Sequence, residues 1–195
     1  MEIEPGSLTA GILAGGAGRR LGGVDKGWYE IGGQPLIERT LARVTPQCSR
    51  VVISANRSLA RYRALGYTVH VDDSDHAAGP LTGIATVLRA AVTPYVLTVP
   101  VDTPLLPADL VAWLSAAIRA DTQLAVACGG DRIHALHALM RRDVLDDLEA
   151  ALFAGTRAVR DWQAGLKQVR VDWPDSECFA NINSVEDAEA LASRL

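Results

Sequence analysis

The apolar and polar positions of this chain fall into short runs that switch between two periods. Leu8 to Leu13 is an unbroken apolar run and predicts a first strand. Trp28 to Ile31 alternates briefly before Gly32-Gly33, which predicts a small hairpin. Pro35 opens a helix with apolar positions at Leu36, Ile37, Leu41 and Val44, and Pro46 ends it. Arg50 to Ser54 predicts a second strand, buried on both faces by its composition. Ser58 is expected to cap a helix running to about Leu65, with Gly66 as its stop. Thr68 to Val71 predicts a third strand that ends at Asp72. Gly79-Pro80 starts a helix with Leu81, Ile84, Ala85 and Leu88 on one face.

Pro94 to Val99 is a strongly apolar strand ending at Pro100-Val101-Asp102-Thr103-Pro104. Pro107 opens the next helix, with Leu110, Val111 and Leu114 inward. Leu124 to Ala127 is another strand, followed by a turn at 129–132 and a strand-like Ala135 to Met140. Two helical stretches, 143–153 and 156–164, precede a last strand from Val169 to Asp172. Ser184 with Asp187 makes a capping-box start for a terminal helix. Strands thus alternate with helices, the pattern of an α/β fold with an open, mostly parallel sheet covered on both faces. The alternation breaks after Gly129, which predicts an antiparallel excursion, and such excursions often carry a second substrate site. Residues 1–7 read as a loose lead-in, and 8–195 as a single domain.

The first strand runs into a loop holding Gly15, Gly16, Gly18, Gly22 and Gly23, with Arg19 and Arg20, closed by Lys26. Glycines let backbone N–H groups approach a ligand, and consecutive N–H groups form an anion-binding concavity. With arginine and lysine added, the loop suits a di- or triphosphate. It is not a P-loop, because Gly27 follows Lys26 where serine or threonine is required. Nor is it the dinucleotide fingerprint, because Leu21 takes the third glycine position. Ligands of open α/β sheets lie beyond the carboxyl ends of the strands. Those ends carry Gly15 and Gly16, then Ser54 to Arg57, then Asp72, then Asp102. A carboxylate beside phosphate oxygens needs a cation, and Mg²⁺ suits one or two carboxylates plus phosphates. Asp102 is the sharper candidate, between two prolines at the end of an apolar strand. His134 and His137, three apart in a strand-like stretch, are expected on opposite faces, so they make no metal pair.

Composition narrows the picture only slightly. A net charge of −4 argues against a general nucleic-acid binder but allows a small anionic substrate in a locally basic cleft. Cys48, Cys128 and Cys178 show neither zinc nor disulfide spacing, which favours a reduced, cytoplasmic setting. The acidic N-terminus does not read as a signal peptide, and no apolar run approaches the ~18 residues of a membrane span.

Several separated motifs then agree in order. Leu13-Ala14-Gly15-Gly16, Arg20-Leu21-Gly22-Gly23 and Asp25-Lys26-Gly27 resemble the nucleotidyltransferase signature L-A-G-G-x-x-x-R-[ML]-G-x-[DN]-K. The doubled glycine before Val24-Asp25-Lys26-Gly27 is most similar to the molybdenum cofactor guanylyltransferases. Further matches are Asn56-Arg57, Asp72, Gly79 to Gly83, Pro100 to Pro104, and Asn181-Ile182-Asn183-Ser184. The resemblance implies a Rossmann-like three-layer αβα nucleotidyltransferase fold. It implies transfer of GMP from Mg-GTP to the terminal phosphate of molybdopterin or the molybdenum cofactor, releasing pyrophosphate.

Carried over by motif, Arg20, Lys26 and Asp102 would be catalytic, with Asp102 holding Mg²⁺. GTP would be bound by Leu13, Ala14, Gly15, Lys26, Ser54, Asp72 and Asp102, and the pterin side would include His134, Arg160, Asn181 and Asn183. Ser54 stands where the family often has asparagine, and His134-Ala135-Leu136 where it often has His-Pro-Thr. The implied partners are GTP, the pterin cofactor and transient cofactor-assembly proteins, around a monomer. A sister enzyme using CTP or a sugar-phosphate or isoprenoid acceptor stays open, as does a nucleotide-binding module without turnover. Sister cytidylyltransferases more usually have L-A-A-G, so Gly15 favours guanine.

Overall fold

The computed structural model describes residues 3–16, 23–73 and 79–194. Its strands are β1 (Leu8–Leu13), β2 (Glu30–Ile31), β3 (Gln34–Pro35), β4 (Arg50–Ser54), β5 (Thr68–His70), β6 (Tyr95–Pro100), β7 (Leu124–Gly129), β8 (Arg132–Arg141) and β9 (Gln168–Asp172). Its helices are α1 (Leu36–Val44), α2 (Leu59–Ala64), α3 (Pro80–Ala90), α4 (Leu110–Ala117), α5 (Leu145–Phe153), α6 (Val159–Ala164) and α7 (Val185–Ala192). Seven strands form one sheet in the order β5-β4-β1-β6-β8-β7-β9, and β2 pairs with β3 in the small hairpin. Within the seven-stranded sheet of the described residues only β8 runs against its neighbours, between β6 and β7. It is the antiparallel excursion expected after Gly129.

The central strand shows why the sheet is covered on both faces. Leu8, Ala10 and Ile12 of β1 are fully buried and join α1, α2 and α4 in one apolar cluster. The opposite cluster takes α3, α5 and α6. Burying each large aliphatic side chain contributes about 1.5–3 kcal/mol, so both layers are needed to hold the sheet. On the α3 side the strand presents Gly11, where a β carbon would lie 2.2 Å from Val87 Cγ1. That glycine lets α3 settle directly on the strand. The lead-in also joins the core, through Ile3.

Three expectations are corrected and one is extended. Ser58 occupies the position before α2 but makes no capping bond, because its backbone is left-handed at φ 49°. Helix α4 begins at Leu110, behind Asp109, rather than at Pro107. Helix α3 buries Leu81, Ile84, Ala85 and Leu88 in one cluster as expected, and its burial extends beyond that face. Leu81 to Leu88 are all buried, and the Thr82 and Thr86 hydroxyls donate to the carbonyls of Gly79 and Thr82. Finally, His134 and His137 do not diverge: their rings lie 5.9 Å apart and both pack on Phe179. The cause is a break in register. Val126 pairs with Ala138 but Cys128 pairs with Ile133, so β8 carries a bulge that cancels the two-residue period.

Candidate active site

A cavity of about 660 Å³ opens at the carboxyl ends of β1, β4, β5 and β6. The chain passes from β5 on one side of β1 to β6 on the other, so this is the point where the strand order reverses. The cavity is lined by Gly15 and Gly16 after β1, Ser54 and Asn56 after β4, Asp72 after β5, and Asp102 after β6. Lys26, and Thr82 and Gly83 of α3, join the lining.

Lys26 and Asp102 meet directly, Nζ to Oδ2 at 2.5 Å, with side chains only 11% and 13% exposed. The same ammonium donates to Asn183 Oδ1 at 2.7 Å. Three remote stretches therefore converge on one cation. Asn183 is held by the cap of α7. Asp187 Oδ2 accepts from the backbone N–H of Asn183 at 2.8 Å and of Ser184 at 3.0 Å, and the Ser184 hydroxyl accepts from Asp187 N–H. The bond to the Asn183 amide is the main cause that lowers the Asp187 pKa. The segment also grips the turn after β6, since Ile182 N–H donates to Asp102 C=O at 2.9 Å. Asp102 Oδ1 is buried with no hydrogen-bond partner among the described residues.

The second cluster surrounds Asp72. Its Oδ1 accepts from Ser54 Oγ at 2.6 Å and its Oδ2 from Asn56 Nδ2 at 2.9 Å. Asn56 Oδ1 in turn accepts from the Asp72 backbone N–H at 3.0 Å. Serine at position 54 thus keeps a donor on the carboxylate. Each carboxylate oxygen can still accept a second bond from a ligand. Asn56, expected at this strand end and within the motif matches but not among the GTP-binding residues, is part of this clamp.

The backbone after β1 is partly spent. Leu13 C=O accepts from Val101 N–H at 3.1 Å, and Ala14 N–H donates to Ser54 C=O at 2.8 Å. Those two groups extend the sheet and are already satisfied. Arg20, with the rest of 17–22, lies outside the described residues, as does His76.

The four pterin-side candidates divide into two places. Asn183 reaches Lys26, and Asn181 Oδ1 accepts from Thr103 Oγ1 at 3.3 Å, next to Asp102. His134 and Arg160 sit along the bulge of β8, where Arg160 donates to Ile133 C=O at 2.7 Å. Burial, then the charges of Arg132 and Arg160, lower the pKa of His134. His137 is buried and its pKa is pushed down to about 3, chiefly by desolvation. Its Nε2 meets Thr103 Oγ1 at 3.1 Å. Thr103 and Leu136, which lines the cavity, carried no sequence signal of their own.

Among the described residues no three histidine, cysteine, aspartate or glutamate side chains gather to hold a metal. No helix among them is long and apolar enough to cross a membrane.

Residues 10–171 match the MobA-like NTP transferase domain. A protein of Burkholderia ambifaria named molybdenum cofactor guanylyltransferase is 42% identical over 205 residues, covering 100% of both chains. One of the same name from a Shewanella strain is 40% identical over 190 residues, covering 96% of each. Among solved structures, molybdopterin-guanine dinucleotide biosynthesis protein A from Archaeoglobus fulgidus superposes with a TM-score of 0.79 at 21% identity. It covers 96% of this chain and 100% of its own, and shares the fold. With relatives of this name along its whole length, the chain belongs to the molybdenum cofactor guanylyltransferase family of MobA-like NTP transferase domains.

Proposed function

We propose that this chain transfers GMP from Mg-GTP to the terminal phosphate of molybdopterin or its molybdenum-loaded form. The observation that carries the reading is the Lys26–Asp102–Asn183 cluster on the wall of a nucleotide-sized cavity. In the reaction a phosphate oxygen of the pterin attacks the α-phosphorus of GTP. The bond from that phosphorus to the pyrophosphate oxygen breaks, and pyrophosphate leaves with the electron pair. The substrate supplies the nucleophile, so the protein contributes position and charge.

Lys26 neutralises phosphate charge as it builds up, and Arg20 holds the triphosphate end. The Asp72 carboxylate, fixed by Ser54 and Asn56, is suited to accept from guanine N1–H and N2–H₂, a pair that cytosine lacks. Gly15 and Gly16 bring backbone close to the nucleotide. The bare Oδ1 of Asp102 is a hard oxygen donor and fits Mg²⁺ completed by phosphate oxygens. When bound, that ion supplies further charge neutralisation at the phosphates. The pterin lies toward Asn181 and Asn183, with His134 and Arg160 further along the same edge. In this reading the enzyme works as a monomer in the cytoplasm, on a pterin delivered by transient contacts with other assembly proteins. Three free thiols support a reducing setting.

A turnover assay with each nucleoside triphosphate, Mg²⁺ and molybdopterin tests the reading. GTP is expected to release pyrophosphate and form the guanine dinucleotide, and Asp102→Ala to abolish release. Use of CTP without GTP overturns the base assignment, and undiminished release by Asp102→Ala overturns the role of Asp102.

A further inference from the structure

Lys26 stands on a three-residue 3-10 turn, Lys26–Trp28, with Asp25 at its N-cap. The local cap is weak. Gly27 N–H reaches Asp25 Oδ1 only at 3.3 Å, near the limit of a useful bond. The strong bond to that oxygen comes from elsewhere: Tyr62 of α2 donates its hydroxyl to Asp25 Oδ1 at 2.7 Å. Asp25 Oδ2 is buried with no partner among the described residues. The tyrosine is therefore the principal support of a half-buried carboxylate. Tyr62 is itself fully buried. Burial first, and then the Asp25 hydrogen bond, hold its phenol well above the usual range, so it stays a donor.

Contacts continue on both sides of this bond. A β carbon on Gly27 would lie 2.3 Å from the Tyr62 hydroxyl, so the turn presses against that oxygen. The Trp28 ring packs on Tyr62 with centroids 5.1 Å apart, and the Arg61 guanidinium covers Trp28 at 3.9 Å. Residues 25, 27 and 28 are thus all fastened to α2. Lys26, between them, lines the cavity.

We propose that Tyr62 is a positioning residue for Lys26: its hydroxyl, acting through Asp25, fixes the turn from which the lysine reaches substrate phosphate. The proposal rests on the reading of Lys26 as the phosphate-neutralising cation. A residue that touches no ligand then controls how far and in which direction that charge is delivered.

The test uses Tyr62→Phe, which keeps the ring against Trp28 and removes only the donor. Pyrophosphate release is measured at saturating and limiting GTP for wild type, Tyr62→Phe, Lys26→Ala and the double variant. Tyr62→Phe is expected to lower kcat about 10-fold, the scale of one hydrogen bond to a charged group, with KM for GTP changed much less. The double variant should be no slower than Lys26→Ala alone, because a misplaced lysine and an absent one cost the same step. A purely structural tyrosine would instead multiply its loss onto that of Lys26→Ala, or cost no activity in the folded protein; either result overturns the proposal.

If Tyr62→Phe does not fold, Asp25→Ala removes acceptor and charge together and should show the same non-additivity with Lys26→Ala; multiplied losses there overturn it equally. Loss in Lys26→Ala beside a neutral Tyr62→Phe sinks only this proposal. Full activity in Lys26→Ala sinks the role of Lys26 and this proposal with it.

Discussion

Asp102→Ala leaves the largely buried Lys26 ammonium without its counter-charge. Two unit charges about 4 Å apart attract by about 4 kcal/mol at an effective dielectric near 20. Both side chains here are almost nine-tenths buried, so the pair is closer to a buried bridge than to a surface one. Removing one partner of such a bridge costs about 3–5 kcal/mol, mostly because the remaining charge stays behind. The Asn183 carbonyl still accepts from Lys26 at 2.7 Å and softens the loss, so the lower end, about 3 kcal/mol, is expected. For a chain of this length that corresponds to a fall of about 6–12 °C in Tm. Urea unfolding of Asp102→Ala measures it. Adding Lys26→Met should then recover about 2 kcal/mol of stability while leaving the protein inactive, since the stranded charge is gone. A loss below about 1 kcal/mol, the value of an exposed pair, would refute the reasoning. So would a double variant no more stable than Asp102→Ala.

Two further outcomes follow from the geometry. Ser54→Ala strips Asp72 Oδ1 of its 2.6 Å donor and should lower kcat/KM for GTP about 10-fold with little change in fold, while an unchanged kcat/KM would show that the clamp does not set the base contact. His137 binds no proton in the folded state until its pKa near 3, whereas the unfolded chain takes one up near pH 6.5. The unfolded state holds more protons between those values, so this group's contribution falls as pH falls, by about 1.4 kcal/mol per unit below ~6. His137→Leu should therefore flatten the pH dependence of unfolding free energy between pH 6 and 4, and a slope equal to wild type would contradict the burial.

Much of this architecture could be read from the chain because its signals are local. The apolar runs of β1 and β4, the Gly32-Gly33 hairpin and the proline-bounded α1 lie at the expected positions. The Ser184–Asp187 cap is a pattern of four residues, and both of its bonds form. What stayed hidden depends on contacts between distant residues or on loss of period. β8 runs from Arg132 to Arg141, longer than its apolar run, and its bulge needs β7 to define it. That is why the two histidines could not be brought together by spacing alone. In the site, Asp72 and Asp102 were legible as strand-end carboxylates, because topology fixes where strand ends lie. The contacts that hold Lys26 and its turn were not: Asn183, expected on the pterin side, lies 157 residues from Lys26, and Tyr62 reads in sequence as ordinary helix core.

The distances along the chain between Lys26 and its partners set a timetable. Asp102 follows Lys26 by 76 residues and Asn183 by 157. At a synthesis rate of about 5–20 residues per second, the lysine precedes its carboxylate by roughly 4–15 s and its amide by roughly 8–30 s. Throughout that interval a growing chain can build the β1–β4–β5 corner of the sheet but cannot complete this cation's surroundings. The site therefore records that the whole sheet has closed, and unfinished chains present a lysine without the groups that aim it.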